Sequence, residues 1–62
     1  MAGLDWVDAL VGDKVVGYVY RSTYSSVWVC MLETDGKSAV NIGTARNQRA
    51  ALDKVVAAYL RT

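Results

Sequence analysis

Ser25-Ser26-Val27-Trp28-Val29-Cys30-Met31-Leu32-Glu33 is the stretch on which the reading of this chain turns. Its β-branched and aromatic residues mark a strand, and a strand sends alternate side chains to opposite sides of its sheet. Val27, Val29 and Met31 then share one face, and Trp28, Cys30 and Leu32 share the other. Both faces are apolar. A chain of 62 residues can cover one face of a small sheet with its own helices and has little left for the second. The reading is one face with a core and one with a partner.

The flanking segments set the frame. Residues 14–21 are a second β-branched and aromatic run, with Ser22-Thr23-Tyr24-Ser25 as the loop between the two. Asp35-Gly36 is a hairpin signal joining residues 26–33 to a third strand at 37–42. Leu4, Val7, Leu10 and Val11 fall at helical spacing, with Gly12 as a stop, and predict a short first helix. Thr44 offers a cap for a long helix to about Arg61, with Leu52, Val55, Val56, Tyr59 and Leu60 as its apolar stripe. The expected fold is α+β: a short N-terminal helix, a three-stranded antiparallel meander and a long C-terminal helix on one face (αβββα), all in one domain over residues 1–62.

Turn lengths predict a register. A two-residue turn at Asp35-Gly36 pairs Met31 with Val40, Val29 with Ile42 and Cys30 with Asn41. A four-residue first loop pairs Arg21 with Ser26, Val19 with Trp28 and Lys14 with Glu33, the last bringing opposite charges together. Under this register Val16, Tyr18, Tyr20, Val27, Val29, Met31, Val40 and Ile42 face the helices. The open face holds Val15, Gly17, Val19, Arg21, Ser26, Trp28, Cys30, Leu32, Ala39 and Asn41. Left bare, that face is an apolar patch of the kind that marks an interaction site, and Trp and Arg are enriched at binding hot spots. Val15, Val19, Arg21, Trp28, Leu32 and Asn41 are therefore the expected protein-contact residues. If the faces are exchanged, Trp28 is instead a core residue.

Composition narrows the chemistry. The chain is 53% apolar and 21% charged and contains no histidine, one cysteine and no proline. An intramolecular disulfide is impossible, and a zinc site lacks its ligands. General acid–base catalysis most often uses histidine, Ser22, Ser25, Ser26 and Ser38 have no evident activating base, and Cys30 sits mid-strand as an inert thiol. The expectation is a protein that is not an enzyme, with no cofactor, no metal and no small-molecule substrate. The N-terminal residues lack the basic and long apolar regions of a signal peptide, and no apolar run approaches the ~20 residues of a membrane span. The expected location is the cytoplasm, with no membrane contact.

Charge is uneven although the net is only +1. Asp5, Asp8 and Asp13 lie near the start, and Arg46, Arg49, Lys54 and Arg61 near the end. Gly43-Thr44-Ala45-Arg46-Asn47-Gln48-Arg49, opening an alanine-rich helix, resembles the phosphate-gripping signature of double-stranded-RNA-binding domains, whose αβββα order is also similar. Thr44, Arg46 and Arg49 match that signature by type, while Ala45 replaces one expected base. The resemblance implies nucleic-acid contact through Thr44, Arg46, Arg49 and Lys54. Arg21, Trp28 and the Ile42-Gly43-Thr44 stretch resemble the three-stranded-sheet DNA-binding domains of the plant AP2 and integrase-arm type, whose sheets carry several outward basic residues where this face has one. The same order occurs in small RNA-cleaving toxins, which use a histidine.

Two functions follow as expectations. The first is a non-enzymatic binding module that contacts another protein or a second copy, as a homodimer, through the open sheet face. Small binders of this style are common among phage and mobile-element proteins that inhibit host or defence machinery. The second is a module binding duplex RNA or DNA through the start of the last helix.

Overall fold

A hairpin, not a helix, opens the fold. The computed structural model describes residues 4–22, 24, 26–34 and 38–61. β1 (Leu4–Val11), β2 (Lys14–Ser22), β3 (Trp28–Thr34) and β4 (Ser38–Ala45) form one antiparallel sheet in the order β1-β2-β3-β4. Among the described residues a single helix, α1 (Gln48–Arg61), follows and packs on one side. The expected αβββα order is thus replaced by ββββα, still an α+β fold.

The first segment goes the other way for a local reason. Val11 pairs with Lys14 across the two residues Gly12-Asp13, and Gly12 takes φ 64°. Glycine occupies that left-handed region at little steric cost, and two-residue hairpin turns require it. The turn folds residues 4–11 back along β2, where period-two alternation puts Val7, Ala9 and Val11 toward the helix and Trp6, Asp8 and Leu10 away from it. Between Ala9 and Leu10 the register slips, because Val16 is an extra residue on β2. Such a bulge increases the local twist.

The register of the other strands also differs from expectation. Val19 lies opposite Cys30 and Tyr20 opposite Val29, a shift of two residues that leaves each side chain on its expected face. Lys14 and Glu33 do not pair. Lys14 lies 5.5 Å from the centre of the Tyr59 ring, and Glu33 is opposite Ala39. In β4 the shift is one residue near the turn, with Leu32 opposite Val40 and Met31 opposite Asn41. A one-residue shift exchanges faces. Beyond Met31 a second bulge, at Ile42, brings Gly43 opposite Cys30 and Thr44 opposite Val29. The Asn41 side chain fixes this bulge by accepting the Gly43 N–H at 2.8 Å on Oδ1. The turn expected at Asp35-Gly36 lies outside the described residues.

The helix starts later than expected, since Thr44 is still in β4. Asn47 is the cap: its Oδ1 accepts the Ala50 N–H at 2.8 Å, and its carbonyl accepts the Ala51 N–H at 3.0 Å. Asn is among the best N-cap residues. Asn47→Ala is expected to cost about 1 kcal/mol and to lower the melting temperature by roughly 4–8 °C in a domain of this size. Thr44→Ala should leave helix stability nearly unchanged, and thermal circular dichroism of both variants checks the assignment.

The core lies between α1 and the sheet. It comprises Ala9, Val16, Val19, Trp28, Cys30, Leu32, Ala51 and Val55, with Ile42, Leu52, Ala58 and Tyr59 packed at its margins. The helix therefore covers the face of Trp28, Cys30 and Leu32, the face expected to be open. Gly17 explains the choice. It lies beneath Val55 and beside the Met31 backbone, and its missing β-carbon lets the helix approach. Ala51 is fully buried for the same reason of close approach. The expected stripe holds at Leu52, Val55 and Tyr59, while Leu60 is 67% exposed.

Candidate functional site on the open sheet face

Among the described residues, four paired strands with one helix leave the opposite face uncovered. Two rows of residues cross it, read from the pairing. Asp8, Tyr18, Met31 and Asn41 lie at one level, and Trp6, Tyr20, Val29 and Thr44 at the next. Its β1–β2 half is aromatic. Trp6 stacks on Tyr18 with ring centres 4.3 Å apart and planes 12° apart, and on Tyr20 at 6.1 Å and 20°. Tyr18 and Tyr20 are 6.3 Å apart. Diagonal contacts of this sort are within reach of aromatic side chains on neighbouring strands. Trp6 Nε1–H donates to Asp8 Oδ1 at 3.2 Å, which fixes the indole edge.

Trp6 stays 54% exposed despite these contacts, and Leu10 is 51% exposed on the same strand. The β3–β4 half is flatter and mixed: Met31 and Val29 are half-buried, Asn41 and Thr44 exposed. Among the described residues, the strand positions on this face carry two acidic side chains, Asp8 and Glu33, and no basic one.

The expected protein-contact residues are dispersed. Val19, Trp28 and Leu32 are buried under the helix, at 0%, 7% and 8% exposure. Arg21 borders that covered side: its Nη2–H donates to Asp5 Oδ2 at 2.6 Å, and its guanidinium sits 5.3 Å from the Trp28 ring centre. Val15 lies beside the first bulge and is 40% exposed. Of the six, Val15 and Asn41 are exposed on the open face, Val15 opposite Leu10 and Asn41 opposite Met31. Trp6, Tyr18 and Tyr20, which form the centre of that face, were not among the expected residues. The signal for them is Gly12-Asp13 between apolar runs, a recognised hairpin dipeptide that folds Trp6 back over the two tyrosines.

The expected nucleic-acid residues do not converge either. Thr44 is on the open side, opposite Val29. Lys54 lies on the covered side, its side chain across Gly43. Arg46 and Arg49 are exposed where β4 passes into α1, with Arg49 Nε 4.0 Å from Asp53 Oδ2. The αβββα order behind the resemblance to double-stranded-RNA-binding domains is not formed. Trp28 and Arg21 are on the helix side, so they do not form the outward sheet surface of AP2-type domains.

Cys30 is fully buried, and its Sγ–H donates to the Ala51 carbonyl at 3.7 Å. Burial pushes the thiol's pKa up, with the Lys54 ammonium opposing in part. A reactive cysteine needs a stabilised thiolate and access, and this one packs as a small apolar group. Among the described residues no group of three His, Cys, Asp or Glu side chains is placed to hold a metal ion, and no helix is long and apolar enough to cross a membrane. No family model, curated protein or solved structure matches the chain.

Proposed function

We propose that this protein is a cytoplasmic, non-enzymatic binding module that contacts a protein partner through the open sheet face, with Trp6, Tyr18 and Tyr20 at its centre. The observation that carries the reading is exposed Trp6 stacked on half-buried Tyr18 and Tyr20, braced by Asp8 and continued by Met31 and Val29. Large aromatic side chains that are already ordered lose little entropy on binding, and they dominate the energy of protein contacts. The acidic character of the face favours a protein over a phosphate backbone, which is gripped by basic groups.

A photo-crosslinking amino acid in place of Tyr18, in cells expressing the chain, tests this. A discrete protein adduct is expected, with none from the same group at Asp53 on the exposed side of α1. An adduct lost on nuclease treatment, or equal labelling from both positions, overturns the reading.

A further inference from the structure

We infer that the occupant of the open face is a second copy of this chain, packed face to face about a two-fold axis parallel to the strands and lying between β2 and β3. The inference rests on the protein-contact reading above and names its partner. A two-fold contact requires a self-complementary patch, and the two rows on this face satisfy that condition. Rotation about the axis keeps each row at its level and exchanges β1 with β4 and β2 with β3. Tyr18 then meets the partner's Met31, and Tyr20 meets the partner's Val29. Ring against thioether is a favourable contact. The aromatic half of each copy thus covers the aliphatic half of the other.

The polar ends of the rows match as well. Asp8 comes over the partner's Asn41, and Trp6 over the partner's Thr44. Asn41 uses Oδ1 to accept the Gly43 N–H, which leaves its amide N–H groups to donate to the Asp8 carboxylate, a charge-assisted bond. The acidic groups do not confront each other, because the axis carries Asp8 to the opposite edge from the partner's Asp8. Strand directions agree across such an interface, as in aligned sheet packing.

The area is sufficient. Four strands about 4.8 Å apart and some eight residues long at ~3.3 Å each present a flat face near 500 Å². Two copies therefore bury about 1,000 Å² or more, the lower bound for a specific interface. An interface near this lower bound belongs to the small, transient class, and area alone does not set its affinity.

Sedimentation equilibrium from about 5 to 500 μM on the whole chain decides the matter. The wild type is expected to pass from monomer to dimer over that range. Met31→Lys, near the axis, should remain monomeric throughout while its circular dichroism and cooperative melt persist. Asn41→Lys should tighten the dimer about three- to tenfold and Asn41→Asp weaken it by a similar factor, as for exposed ion pairs formed twice. Combining Asp8→Lys with Asn41→Asp should restore it. A wild type that stays monomeric, or charge variants at position 41 that act alike, overturns self-association. A monomer that still crosslinks another protein through position 18 overturns the second copy alone and leaves the protein-contact reading standing.

Discussion

Gly17→Ala is expected to remove a third or more of the protein's stability, although it adds a single methyl group. A β-carbon at this position would collide with the carbonyl oxygen of Met31 and stand 2.7 Å from Val55 Cγ1. The first neighbour is backbone on the adjoining strand, so no rotamer change relieves it. Either β2 and β3 part where they are paired, or the helix lifts. Overpacking of cores costs about 1–3 kcal/mol and occasionally more, and a rigid backbone neighbour places Gly17 at the upper end. A domain of this length has roughly 3–9 kcal/mol in total. Chemical denaturation should show the midpoint collapsing. Adding Val55→Ala should recover little, because it removes only the side-chain neighbour. A Gly17→Ala protein melting within a few degrees of wild type would mean that Gly17 is not the point of closest helix–sheet approach.

Trp28→Ala is the second large effect. Trp28 is 7% exposed, starts β3 opposite Ala45, and carries the Arg21 guanidinium 5.3 Å from its ring centre. Truncation of a buried tryptophan to alanine costs about 3–5 kcal/mol from lost transfer energy and the cavity left behind. The result should be a largely unfolded chain at room temperature. Trp6→Ala removes a side chain of the same size from the open face and should leave the monomer folded. That contrast, read by circular dichroism and near-ultraviolet spectra, separates the core tryptophan from the surface one. Equal losses in the two variants would contradict the assignment of faces.

The same two tryptophans show what was legible in the residues and what was not. Alternation in residues 28–32 correctly separates Trp28, Cys30 and Leu32 from Val29 and Met31, and the structure keeps that partition. Which set is covered depends on where the helix can approach, and that is a property of Gly17 and Ala51, two small residues with no periodic signal. Sorting by hydrophobicity favours the larger side chains for the core. Packing distance favours the side with room.

Residues 4–11 failed for a different reason. Leu4, Val7, Leu10 and Val11 fit a helix, while Val7, Ala9 and Val11 fit a strand, and eight residues are too few for period alone to decide. The turn decided it. In β4 a one-residue shift near the turn put Asn41 opposite Met31, and the missed bulge at Ile42 then changed the partners of the later residues, so that Thr44 reached the open face opposite Val29. The candidate site was accordingly read on the wrong side, with Val15 and Asn41 its exposed survivors.

Placing the sheet's cover after all four strands has a consequence for biosynthesis. All four strands leave the ribosome before α1 does, and chains emerge at about 5–20 residues per second. Until Ala51 and Val55 arrive, a nascent meander holds Val19, Cys30 and Leu32 bare on one side and the aromatic stack on the other. Its edge strands are then also free to pair with neighbouring chains. Covering of the core therefore waits on the synthesis of α1, whatever the speed at which the strands pair.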